Sequence, residues 1–139
     1  MIQLTEQYVT TEAEKKAQEF SNIDKNQIRK FYDDFKLIER RITENQQADD
    51  KWFEKEILPH IKFVKSKIAY SAGRKSGNKF LVSKGFKEYM DKQIDLIKTI
   101  SDFNNFMMHY QAIIAYYTYY SEVGSSDTSN RNFQQHRSR

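Results

Sequence analysis

Residues 24–43 read "DKNQIRKFYDDFKLIERRIT", and their periodicity decides the fold. Asp24 is placed as an N-cap, whose carboxylate accepts a bond from an otherwise orphaned backbone N–H. Gln27 stands three residues on, where it can bond back, and Ile23 and Ile28 are spaced as a hydrophobic staple. From that start Ile28, Phe31, Phe35, Ile38 and Ile42 step by three or four, the spacing of one helix face. The opposite face carries Lys25, Arg29, Lys30, Lys36, Arg40 and Arg41 among Asp33, Asp34 and Glu39. No strand-like alternation competes with this pattern, so the segment is an amphipathic helix that "NQQADD" (45–50) breaks.

The same reading extends in both directions. Upstream, Thr11 and Glu14 are spaced as a capping box for a short helix to Phe20, with Ala13, Ala17 and Phe20 on one face. Downstream, a region over 50–72 has the stripe Ile57, Ile61, Val64 and Ile68, with Trp52 and Phe53 before it. Pro59 falls inside that pattern and predicts a kink or split, because proline removes a backbone donor and crowds the preceding turn. A fourth helix is expected over 79–100, with Phe86, Met90, Ile94 and Ile97 inward and Gly85 weakening its first turns. After a break at Ser101–Asp102, a fifth has Phe103, Phe106, Met107, Tyr110, Ile114 and Tyr117 at helical spacing. Tyr110 and Tyr117 are assigned to the core, and Tyr116, Tyr119 and Tyr120 to boundary surface or a partner. The fold class is therefore all-α, a compact bundle of about five helices over residues 1–121. Residues 122–139, polar and aperiodic, read as a disordered tail.

Composition narrows the function. The 139 residues contain no cysteine, which excludes disulfides, zinc–thiolate sites and thiol catalysis and fits a cytoplasmic setting. No apolar run approaches the roughly 20 residues that cross a bilayer, so no membrane role is expected, and the first residues lack the pattern of a secretory signal. His60, His109 and His136 are neither paired at metal-ligand spacing nor next to a nucleophile motif, and His109 is read as a structural or surface residue on the boundary side of its helix. The carboxylate pairs Asp33–Asp34 and Asp49–Asp50 read as solubilising or capping groups. No catalytic residue, metal or cofactor is expected.

Charge points elsewhere. The net charge is +4, yet residues 60–87 alone hold eight Lys or Arg and no acid: Lys62, Lys65, Lys67, Arg74, Lys75, Lys79, Lys84 and Lys87. Such a block is a candidate footprint for a polyanion. Within it, "KIAYSAGRKSGNKF" (67–80) has a superficial likeness to a nucleotide-binding loop. Three residues separate Gly73 from Gly77 where that loop has four, and Asn78 follows where it has lysine. The stretch is read instead as a basic surface carried through a glycine hinge, where side chains neutralise phosphates without reading sequence and backbone amides can approach.

Three segments, "NQIRKFYDDF" (26–35), "KIAYSAGR" (67–74) and "FNNFMMHYQAIIAYY" (103–117), resemble in order and spacing the small helical subunit of the type III-A CRISPR–Cas effector, the Csm complex. The likeness covers about residues 22–117. It departs at Asp24-Lys25-Asn26, where small hydroxyl residues are usual, and at Gln111, where an acid is usual. The resemblance implies a non-catalytic subunit present in several copies along guide RNA and target RNA, beside other subunits that carry cleavage and signalling. Its basic positions fall on Arg29, Lys67 and Arg74; charge and position add Lys30, Lys75 and Lys79. Arg29 has an alternative partner in Asp33, four residues on, and Tyr70 is read as a packing residue. The small subunit of type III-B complexes, a helical adaptor without nucleic acid and a small nuclease are the competing readings.

Overall fold

A computed structural model describes the backbone over residues 1–133 and the side chains over residues 1–123. Among these residues the chain is five helical units and one small hairpin. The first unit is α1 (Glu6–Val9) and α2 (Thr11–Glu19), and the second is α3 (Lys25–Thr43). The third runs through α4 (Asp50–Trp52), a π-helical turn (Phe53–Ile57) and α5 (Leu58–Gly73). The hairpin of β1 (Lys75–Ser76) and β2 (Lys79–Phe80) leads to α6 (Lys84–Asp95) and α7 (Ile100–Phe133). Of the tail expected over 122–139, residues 134–139, with His136, lie outside the described residues.

The predicted stripes form the core. Ile28, Phe31 and Phe35 of α3, Ile57, Ile61 and Ile68 of the third unit, and Phe86 and Ile94 of α6 are fully buried. They close on Phe103, Phe106 and Tyr110 of α7, where Phe35 meets Phe106 edge-on at 5.0 Å and Tyr110 at 6.0 Å. Ala13 and Ala17 are fully buried on α2, which makes the most extensive helix–helix contact of the fold with α7. Their small side chains let the two backbones approach.

Several local expectations are refined. Asp24 caps α3 by accepting from the Asn26 N–H at 3.1 Å, but Gln27 does not bond back; its Oε1 accepts from Ser71 Oγ of α5 at 3.2 Å. The box predicted at Thr11 is displaced: Thr10 stands at the cap of α2 without a side-chain bond, and Thr5 caps α1 by accepting from the Tyr8 N–H. Pro59 splits its helix as expected. The split takes the form of a π turn, in which the Leu58 N–H reaches back five residues to the Phe53 carbonyl, so the proline is accommodated where an α-helical turn would crowd it. The fourth helix starts at Lys84, capped by Ser83 Oγ, rather than at Lys79, because the chain first turns back at Gly77–Asn78. Gly77 has φ +68°, and no non-glycine residue is positive among the described residues. This is the condition of a two-residue turn with glycine at its first central position. The glycine thus serves the turn itself.

Two buried polar clusters anchor the first half of α7. Asp102, 3 % exposed, accepts from the backbone N–H groups of Lys98 (2.9 Å), Thr99 (3.1 Å) and Ile2 (2.7 Å). Asn105 Nδ2 donates to the Ile2 carbonyl at 3.0 Å, so Ile2 is clasped from both sides. Burial alone would raise the Asp102 carboxyl, but these backbone donors hold it below the usual carboxylate range. Two turns along, His109 is buried, not at the boundary, because α1 covers it. Its ring stacks on Tyr8 at 3.7 Å, Nδ1 meets the Tyr8 carbonyl and Nε2 the Tyr89 hydroxyl, both at 2.5 Å. A carbonyl accepts only, so Nδ1 carries the proton and Nε2 accepts from Tyr89. Tyr8 in turn donates to Gln93 Oε1 at 2.5 Å.

Burial pushes His109 down to about 4, opposed by its bond to the Tyr8 carbonyl and assisted by nearby Lys16. The unfolded chain takes up this proton near pH 6.5 and the folded chain does so near 4. The contribution is therefore complete above about pH 6.5 and is lost as pH falls through that window, by about 2 kcal/mol at pH 5. Urea unfolding at pH 7 and pH 5 should show this loss, and His109→Gln should abolish most of the difference. A wild-type midpoint equal at both pH values contradicts the buried neutral ring.

Candidate nucleic-acid interface

The basic block is largely neutralised in space. Lys62 and Lys65 both reach Asp95 at the end of α6, at 3.5 and 2.7 Å, and Lys62 also donates to the Ile94 carbonyl, tying α5 to α6. Lys84 pairs with Glu88 at 3.9 Å and Lys87 with Asp91 at 2.6 Å along α6. Lys67 lies 3.5 Å from Asp34 across the α3–α5 contact. Arg74, Lys75 and Lys79 make no ion pair among the described residues. The uncompensated positive charge therefore sits where α5 ends and the hairpin begins.

The structure brings the six predicted contact residues into two neighbouring groups. Lys30 of α3 and Lys67 of α5 face each other across a groove of about 410 Å³, lined also by Asp34, Ser66 and Tyr70. Arg74, one turn beyond Tyr70, bonds its hydroxyl and packs its guanidinium 5.2 Å from the ring centre. The second group is the hairpin. Lys79 donates to the Asn22 carbonyl at 3.2 Å, anchoring β2 against the loop before α3, with shallow clefts on either side of this bridge. Lys75 lies 5.1 Å from the centre of the Phe80 ring. Arg29 is exposed on α3 beside Lys30 and does not pair with Asp33 among the described residues.

Sequence reasoning missed the aromatic part of this surface. Tyr70, expected to pack, is 58 % exposed, and Phe63 and Phe80 are 61 % and 50 % exposed. Each has a cation against its ring: Lys67 on Phe63 at 5.7 Å, Arg74 on Tyr70 and Lys75 on Phe80. At 100° per residue, Phe63, Lys67 and Tyr70 fall on one narrow stripe of α5, turned away from Ile61, Val64 and Ile68, and Arg74 caps the helix just beyond it. The signal was therefore present as spacing. It was masked by the general rule that large aromatics go inside.

No group of three His, Asp or Glu side chains that could hold a metal occurs among the described residues, and no described helix is long and apolar enough to cross a membrane. His60 is exposed and His109 is used up by Tyr8 and Tyr89. The arrangement offers cations, ring faces and a groove. No curated protein and no solved structure matches the chain significantly. A family model does: that of Csm2, type III-A, matches residues 3–123, nearly the whole bundle. The chain belongs to the Csm2 family, the non-catalytic small subunit of the type III-A CRISPR–Cas effector, the Csm complex.

Proposed function

We propose that this chain lines the path of guide RNA and target RNA in the complex, in several copies, and contacts the RNA backbone without reading its sequence. Family membership implies assembly with the other Csm subunits and the guide RNA. The observation that carries the finer reading is the hairpin: Arg74, Lys75 and Lys79 have no carboxylate partner among the described residues and stand together on exposed backbone. Lys30 and Lys67 continue the positive surface along the α3–α5 groove, and Arg29 extends it on α3. Ammonium and guanidinium groups neutralise phosphate and release counterions, which gives affinity with steep salt dependence and little base preference.

Replacing both Lys75 and Lys79 by alanine should weaken RNA binding on all sequences alike. The slope of log affinity against log salt should fall by about 0.7 for each lost contact with single-stranded RNA. Helicity should be unchanged, since both residues lie on the hairpin, outside the helices. The measurement belongs on the reconstituted complex as well as the free chain, because several aligned copies add avidity. A double variant that assembles and holds target RNA with unchanged affinity and slope refutes the contact, and the protein is then an adaptor with a solvated basic face.

A further inference from the structure

The aromatic residues on this surface have no role in phosphate neutralisation. Tyr70 borders the α3–α5 groove and is more than half exposed. Its ring is flanked on the chain by Lys67 and Arg74, and Lys30 faces it across the groove. Phe63, two turns earlier and about 10 Å along the helix, also has a cation, Lys67, against its ring. Ring faces set beside cations match the two halves of a single-stranded nucleotide, a flat base and a charged phosphate. A duplex offers only its backbone to such a surface, because its bases are stacked on one another.

We propose that the α3–α5 groove is a site for an unpaired nucleobase, stacked on Tyr70, with the adjoining phosphates held by Lys30, Lys67 and Arg74. The inference rests on the RNA-contact reading above and adds to it the form of RNA that is bound. Charge favours this occupant over an apolar protein segment: three cations, Lys30, Lys67 and Arg74, stand around the ring against one carboxylate, Asp34, so positive charge remains in excess after the Lys67–Asp34 pair is counted.

The test compares three probes on the full chain by fluorescence anisotropy: a 12-nucleotide single-stranded RNA, the same sequence as a blunt duplex, and an abasic strand of equal length. The single strand should bind about tenfold tighter than the abasic strand, and tighter than the duplex. Tyr70→Ala should remove that advantage while leaving abasic binding and its salt slope unchanged. Tyr70→Phe should retain it, which separates stacking from any general effect on α5. Equal, salt-sensitive binding of all three probes overturns the stacking site and leaves the backbone reading standing. Binding of none, by the free chain and by the reconstituted complex alike, overturns both. If Tyr70→Ala keeps wild-type RNA preferences but no longer assembles with the larger subunits, the ring contacts protein and the proposal is wrong.

Discussion

Phe35→Ala should cost about 3–5 kcal/mol of unfolding free energy, the usual range for removing a fully buried phenylalanine. Phe35 has no solvent exposure, and its ring touches three others on α7: Phe106 at 5.0 Å, Tyr110 at 6.0 Å and Phe103 at 6.3 Å. The loss has two parts, the transfer energy of the ring and the cavity left where α3 meets α7. The cavity cannot collapse easily, because Tyr110 is held in place by its hydroxyl, which donates to the Ile28 carbonyl at 2.7 Å. A domain of this size has about 5–15 kcal/mol in total, so the variant should show a large fall in urea midpoint and a raised unfolded fraction at physiological temperature. Leu37→Ala, two residues on and 59 % exposed, should change stability by about 0.5 kcal/mol or less. Similar midpoints for the two variants would mean that α3 presents a different face to the core.

Asp102→Ala should cost about 3 kcal/mol, although it deletes only a few atoms from the start of α7. The carboxylate satisfies three backbone donors, those of Ile2, Lys98 and Thr99, and a hydrogen bond to a charged group contributes about 1.5–3 kcal/mol net of its competition with water, less than additively when several share one carboxylate. Lys98 and Thr99 regain solvent partners as the loop relaxes. Ile2 regains them only by leaving its site, which exposes an apolar side chain now 5 % accessible. The local effect should therefore exceed the global one: amide exchange at residues 2–9 accelerates strongly, while α3 and α5 lose protection only through the drop in overall stability. Asp102→Asn should be intermediate, since it keeps an acceptor but loses the charge. Unchanged exchange over residues 2–9 in the alanine variant would show that other contacts hold the N-terminal arm.

The core was legible in the sequence because it is written as spacing. Ile28, Phe31 and Phe35, or Ile61, Val64 and Ile68, identify a helix and its inner face with no knowledge of partners. The hairpin was legible in principle, since Gly77-Asn78 is a two-residue turn signal, but two-residue strands are too short to show alternation. What could not be read was anything that depends on distant pairing. Lys65 and Asp95 look like unrelated surface charges until α5 and α6 pack, and the sequence block of eight cations then shrinks to three. His109 stands one helical turn after polar Asn105, which on sequence alone puts both at the edge of the apolar stripe. In space α1 lies over the histidine, and α1 itself, four residues long, carried no periodic signal.

The clasp on Ile2 also sets the order in which the protein can be made. Its partner Asp102 lies 100 residues later in the chain, and the Tyr8–His109 contact spans 101. At about 5–20 residues per second, a nascent chain waits about 5–20 s between the synthesis of the two halves of the clasp. Throughout that interval α2 has no α7 to cover Ala13 and Ala17, while α5 and α6, adjacent in sequence, can already pair. The middle of the bundle can thus form on the ribosome, whereas its first arm must remain open until the last helix emerges. Premature termination before α7 leaves a product with an exposed apolar face, suited to chaperone capture or degradation rather than to assembly into an effector.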